Sequence, residues 1–147
     1  MLRLTVVVYL EIRNMRLQDE NASFRINQAG LQKFLGDLEC EIMELVWKLA
    51  APTTTVREVF DALKLKREIA YTTVMTTMVR LSEKELLNIV DKAGLANVYV
   101  PRYNREEFIE EAIKQIMKSL ADEYPRETLN FLEQNQARLT KKVSRKR

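Results

Sequence analysis

The side chains with the clearest chemistry lie in the stretch Ile69-Ala70-Tyr71-Thr72-Thr73-Val74-Met75-Thr76-Thr77-Met78-Val79-Arg80-Leu81. Its β-branched content favours a strand, but apolar and polar residues do not alternate, and the spacing instead predicts a helix from Tyr71 to Leu81. On a 3.6-residue wheel Val74, Met78 and Leu81 share one face with Tyr71 at its margin, while Thr72, Thr73, Thr76 and Arg80 gather on the other. Hydroxyls can bond phosphate oxygens or base edges, a threonine methyl can pack on a thymine methyl, and an arginine can clamp a phosphate or a guanine. Each threonine gives up roughly half a kcal/mol of helix propensity relative to alanine, so the cluster weakens its own helix. From residue types alone a duplex-reading face and a plain solvated face both remain open.

Other chemistry has little raw material. Cys40 is the single cysteine and there is no histidine, so the sequence offers no internal disulfide, no His/Cys metal site and no usual general base. No Gly-rich phosphate cradle is present, and catalytic residues, metals and cofactors are all expected to be absent. A thiol enzyme or redox sensor built on Cys40 would need an activating base or a resolving cysteine, and the sequence holds neither. Cys40 therefore reads as a core residue.

The net charge of +3 and pI near 9.0 point to an anionic partner, but the distribution qualifies this. Arg138, Lys141, Lys142, Arg145, Lys146 and Arg147 supply six positive charges with no acid among residues 138–147, which leaves the rest of the chain at −3. Within that acidic body the segment Lys64 to Lys92 is net +2: Lys64, Lys66, Arg67, Arg80, Lys84 and Lys92 stand against Glu68, Glu83, Glu85 and Asp91. Positive potential is thus expected around the threonine-rich helix, with Lys84 and Lys92 adding to its contacts.

The elements that must position this helix can be read on either side of it. Leu38, Ile42, Leu45, Val46 and Leu49 recur at helical spacing after Asp37, a candidate N-cap, and this first helix ends near Ala51-Pro52. Cys40, Met43 and Trp47 fall on its opposite side as a second apolar strip. Thr55-Val56-Arg57-Glu58 has the form of a capping box and starts a second helix that buries Val56, Val59, Phe60 and Leu63. After the third helix, Leu87 to Asp91 and Asn97 to Pro101 read as short strands joined by Lys92-Ala93-Gly94-Leu95-Ala96. Three helices followed by a hairpin is the chain order of a winged helix.

Asn104 can cap a long fourth helix with Phe108, Ile109, Ala112, Ile113, Ile116, Met117 and Leu120 as its apolar stripe, followed by Pro125 at a helix start and by Leu129, Phe131 and Leu132. So much apolar surface predicts self-association, the alternative being back-packing on the Cys40–Trp47 strip. The expected organisation is an N-terminal extension over 1–34 of unassigned role, a winged helix over 35–103, a helical dimerisation region over 104–137 and a basic tail over 138–147. The fold class is mainly α with a small β-hairpin wing. The apolar run Leu4 to Leu10 is far shorter than the roughly 18 residues a membrane helix needs, and no cleavage site follows it. A cytoplasmic protein without membrane insertion is expected, and Met15 is an alternative start.

Leu35-Gly36-Asp37-Leu38-Glu39 with Ile42-Met43 and Trp47, then Tyr71-Thr72-Thr73-Val74 with Arg80-Leu81 and Lys84, resembles the penicillinase repressor family (BlaI/MecI/CopY type). Val98-Tyr99-Val100-Pro101 and Arg105-Glu106-Glu107-Phe108 are similar to its wing strand and to the entry of its dimerisation helices; the match runs from about Leu35 to Glu133. The resemblance implies a homodimeric repressor of a palindromic double-stranded DNA operator, released by a partner sensor protease or an inducer. It also implies groove contacts from Thr72, Thr73, Met75, Thr76 and Arg80, of which Met75 comes from the resemblance alone. Glu85 stands where a glycine is usual after the third helix, and Leu95 where a basic wing residue is common. The Asn-Phe cleavage pair of the resistance repressors would fall near Lys114-Gln115 and is missing, as is the cysteine cluster of the copper-responsive branch. A winged-helix module for protein contacts is the alternative reading.

Overall fold

Helix α1 (Asp37–Leu49) begins the architecture, in a computed structural model that describes residues 24–49 and 51–146. The run Leu4 to Leu10 and Met15 lie outside the described residues. Gly36, not Asp37, occupies the cap position: its carbonyl accepts the Cys40 N–H at 2.8 Å, and its own N–H donates to Glu39 Oε2 at 3.1 Å. Asp37 is instead the first helical residue, where its charge still meets the positive end of the helix dipole.

Ahead of α1, Gly30–Lys33 form a short 3-10 turn that buries Leu31, and Leu35 is buried beside it. The described part of the expected extension therefore contributes to the core. Arg25 adds a side-chain hydrogen bond to the Leu35 carbonyl, and its N–H donates to the Lys33 carbonyl at 2.9 Å.

A two-residue strand, β1 (Thr54–Thr55), leads straight into α2 (Val56–Leu63). The capping box forms as expected, with Thr55 Oγ1 accepting from the Glu58 N–H at 3.3 Å and the Thr55 N–H donating to Glu58 Oε2 at 2.7 Å. α3 (Tyr71–Glu83) follows, then β2 (Leu87–Ala93) and β3 (Ala96–Pro101). β3 is the central strand of an antiparallel sheet ordered β1-β3-β2, with Thr54 opposite Tyr99 and Ile89 opposite Tyr99 on its other side. Sequence patterning misses β1 because two residues are too few to show alternation.

The core of this unit combines Ile42, Met43 and Val46 of α1, Val56, Val59 and Leu63 of α2, Val74, Met78 and Leu81 of α3, and Leu87 and Tyr99 of the sheet. Met43 is fully buried, so it belongs to this core and not to the opposite strip with Cys40 and Trp47, which are half-buried. A helix face of this width takes in one more position than the strict spacing suggests. The Trp47 indole donates to the Tyr103 carbonyl at 2.8 Å, and Arg105 pairs with Glu44 at 3.0 Å, which ties the outer side of α1 to the chain leaving β3.

Three helices, a short strand and a hairpin make this a winged helix-turn-helix. The chain divides between Glu106 and Glu107 into two compact units. The C-terminal part holds α4 (Arg105–Glu123) and α5 (Pro125–Arg145), with Pro125 at the start of α5 as its fixed φ favours. α5 continues to Arg145, so residues 138–145 are part of that helix and not a separate tail. Among the described residues no helix is long and apolar enough to cross a membrane.

Candidate nucleic-acid interface

Burial of one side of α3 determines what its other side can offer. Val74, Thr77, Met78 and Leu81 are buried, and their spacing leaves Thr72, Thr73, Met75, Thr76 and Arg80 exposed together. Met75, outlying on the wheel, lies among the exposed residues with the threonines. Thr77 is the one threonine of the helix that turns inward, and it satisfies its hydroxyl by donating to the Thr73 carbonyl at 2.8 Å.

The outward threonines differ in what they can do. Thr76 Oγ1 donates to the Thr72 carbonyl at 2.8 Å, so its proton is already used and it offers an acceptor oxygen and a methyl group. The hydroxyls of Thr72 and Thr73 have no partner among the described residues and can donate or accept. Arg80 likewise carries its guanidinium without an ion-pair partner among the described residues. At the other end of the helix, Ala70 in the cap position supplies no side-chain acceptor, and only from Thr73 onward do the backbone amides find carbonyl partners. The leading N–H groups and the helix dipole thus favour an anion at this end.

Tyr71 closes the edge of this face. Its ring meets Phe60 edge-on at 5.4 Å between centroids, and the Arg57 guanidinium lies 5.3 Å from the ring centre. This cation–π contact holds an exposed positive charge from α2 beside the start of α3. Sequence reasoning does not single out Arg57, because it falls inside the capping box; only the fold brings it next to Tyr71.

Not every cation expected here is available. Lys84 Nζ lies 2.6 Å from Glu39 Oε1, and both side chains are only 13% exposed. Glu39 accepts the Gly36 N–H through its other oxygen, so the pair fastens the end of α3 to the beginning of α1. Lys84 is therefore removed from the contact set read from the sequence: its ammonium is consumed inside the domain. Lys64 and Arg67 are paired with Asp61 and Glu41 at 2.5 and 2.7 Å, which tempers the positive potential expected over this segment.

The turn after α3 sets where the wing begins. Glu85 has φ +60°, the Leu86 N–H donates to the Leu81 carbonyl at 2.9 Å and the Glu85 N–H to the Ser82 carbonyl at 3.0 Å. This is a Schellman closure with a glutamate where glycine is favoured. The Glu85 carboxylate accepts from Arg102 at 2.7 Å, across the base of the hairpin.

In the wing the strands are longer than the sequence indicates, pairing Ala93 with Ala96 and leaving a two-residue turn, Gly94-Leu95. Gly94 takes φ +68° at the first turn position, as a II′ hairpin requires. Val90 is the extra residue of a β-bulge between Ile89 and Asp91. Lys92 is exposed near the tip and without an ion-pair partner among the described residues, while Leu95 is fully exposed at the apex.

Cys40, read from the sequence as a core residue, is half-buried. Burial pushes its pKa up, Glu44 pushes the same way, Arg105 partly opposes them, and Asp37 and Glu41 add to the rise. Among the described residues no group of three or more His, Cys, Asp or Glu side chains could hold a metal.

The model of the penicillinase repressor family matches residues 35–143. The chain belongs to that family. The match extends past Glu133, where the motif resemblance stops, and takes in most of α5. Two curated relatives, both named transcriptional regulator BlaI, from Mycobacterium tuberculosis strains CDC 1551 / Oshkosh and ATCC 25618 / H37Rv, are each 45% identical over 76 residues. That region is 51% of this chain and 53% of each relative, so the chain spans about half the length of the curated relatives it matches.

Among solved structures, the DNA-binding domain of the repressor BlaI is similar at 29% identity with a TM-score of 0.43, over 50% of this chain and 85% of that one. A cysteine-to-serine mutant of Lactococcus lactis ZitR in complex with DNA is similar at 14% identity with a TM-score of 0.40, over 97% and 98%.

Proposed function

We propose that this penicillinase repressor family member is a DNA-binding transcriptional repressor that reads a palindromic operator as a homodimer, with α3 in the major groove. The carrying observation is the exposed face of α3, where Thr72, Thr73, Met75, Thr76 and Arg80 stand together without being used in the domain's own packing. Thr72 and Thr73 serve phosphate or base edges, Thr76 acts through its methyl and lone pair, and Arg80 clamps a guanine or phosphate. Lys92 follows the backbone from the wing, and Arg57 with the leading amides of α3 engages a phosphate at the helix start.

The dimer rests on the C-terminal helices. Phe108 is buried and Ile109, Ala112, Ile116 and Met117 are half-buried, but Ile113, Leu120, Leu129, Phe131 and Leu132 are exposed, and α5 buries no residue at all. Helical stability comes mostly from packing an apolar face, and α5 buries none of its own, so a second copy is the natural occupant of this apolar surface. In this reading residues 35–103 bind DNA, 104–137 form the main dimer contact and the protein acts in the cytoplasm. An inducer or partner sensor protease relieves repression at a point other than Lys114-Gln115.

Selection from random duplexes tests the reading directly. It should enrich an inverted repeat whose half-sites are one helical turn apart or a multiple of it. Arg80→Ala should weaken binding to the enriched duplex by about 1–3 kcal/mol, roughly 5- to 150-fold. Ile113→Glu with Ile116→Glu should sediment as a monomer and lose operator affinity. A pool that enriches no sequence would instead support a protein-contact module.

A further inference from the structure

α5 carries two opposed surfaces. Leu129, Leu132, Leu139 and Val143 recur at spacings of three, seven and four, which keeps them on one helix face, and all four are exposed. Leu139 and Val143 prolong the apolar seam beyond residue 137, where sequence reading places its end. Arg138, Lys141, Lys142 and Arg145 fall within roughly 100° of one another on the far side of the same helix.

This ridge differs from the lysines of α4. On α4, Lys114 lies 3.7 Å from Glu111 and Lys118 lies 3.4 Å from Asp122, so each lysine has an acid one turn away. On α5 no acid occurs from Gln134 to Lys146, all four ridge residues are exposed, and none has an ion-pair partner among the described residues. Arg138 with Lys142, and Lys141 with Arg145, are like charges four residues apart, an arrangement that destabilises a helix. The helix dipole offsets this for Lys142 and Arg145 in the last turn, but not for Arg138 and Lys141 before it.

We propose that Arg138, Lys141, Lys142 and Arg145 form a second nucleic-acid contact that grips the phosphate backbone of duplex DNA without regard to sequence. Charge complementarity carries the assignment: a linear row of cations rising about 6 Å per four residues matches a polyanion whose charges are regularly spaced. Because the ridge lies away from Leu129, Leu132, Leu139 and Val143, covering those four with a second copy leaves the ridge accessible. The proposal rests on the chain being a DNA-binding protein, but not on which bases α3 reads.

The full chain with Arg138→Gln, Lys141→Gln, Lys142→Gln and Arg145→Gln should keep its helix content, since glutamine is a good helix former. Binding to a random-sequence duplex is then measured across a salt series. Each phosphate contact contributes about 0.9 to the slope of log affinity against log salt, so the variant should lose up to about 3.6 of slope per protomer. Arg138→Lys with Arg145→Lys should keep it. Arg80→Ala should lower the same slope by no more than about 1 per protomer.

An unchanged slope in the glutamine variant overturns the proposal. So does loss of binding to phosphatidylserine vesicles with duplex binding intact, which would assign the ridge to a lipid surface. If the glutamine variant does not fold, the sign reversal Arg138→Glu alone serves, and an unchanged slope there is equally fatal. Should random duplexes yield no preferred sequence while ridge-dependent binding persists, the α3 reading fails and the ridge stands.

Discussion

Glu85 tests whether the turn between α3 and the wing is held under strain. Among the described residues it is the only one besides glycine with positive φ, at +60°. A Cβ in left-handed backbone costs about 1–2 kcal/mol. Replacing it by glycine removes that strain but adds unfolded-state freedom worth about 0.5–1 kcal/mol, leaving glycine about 0.5–1 kcal/mol ahead of alanine at this position. The side chain pulls the other way. Its pair with Arg102, at 2.7 Å and with both partners 40–49% exposed, contributes about 0.2–1 kcal/mol. Glu85→Ala keeps the strain and loses the pair, so it should be destabilised by that smaller amount. Glu85→Gly loses the pair and the strain together, and should return to within about 0.8 kcal/mol of the parent. Urea titration followed by circular dichroism reads the order directly, and glycine should melt a few degrees above alanine. If glycine is no more stable than alanine, the turn is not strained and its left-handed geometry is not what glycine would relieve.

Lys84 and Cys40 supply two further predictions. Lys84→Met should destabilise the protein by about 2–3 kcal/mol, below the roughly 3–5 kcal/mol of a fully buried pair because both partners keep some solvent, and Glu39→Gln in the same chain should recover most of it. Duplex binding by the folded Lys84→Met protein should keep its salt slope; a slope reduced by about 1 would return Lys84 to the contact set. Cys40 should alkylate with iodoacetamide more slowly than a free cysteine at neutral pH, its rate rising only above the ordinary thiol range. Because its folded pKa is raised, the stability that burial of the neutral thiol supplies is present below the unfolded pKa and is lost as pH climbs through the folded one. Rapid labelling at neutral pH would contradict this.

What is legible in the sequence is whatever a local repeat enforces. The apolar spacing of Val74, Met78 and Leu81 defines α3 because one face has to be buried, and Thr55 with Glu58 marks the start of α2 because both capping groups lie within one turn. Contacts between distant segments are not legible. Nothing in the spacing of Glu39 and Lys84 announces that α1 and the end of α3 meet, so in the sequence a lysine beside the threonine-rich helix looks like one more groove contact. Arg57 escapes notice for the converse reason: its partner Tyr71 is brought to it only when α2 packs against α3. The two cases have one cause, since a periodic pattern shows which way a side chain faces but not which charge it meets there. Exposure alone therefore does not identify a contact residue. The cations that fit the proposed interface are those that are exposed and also unneutralised by the fold, which selects Arg57, Arg80 and Lys92 and sets Lys84 aside.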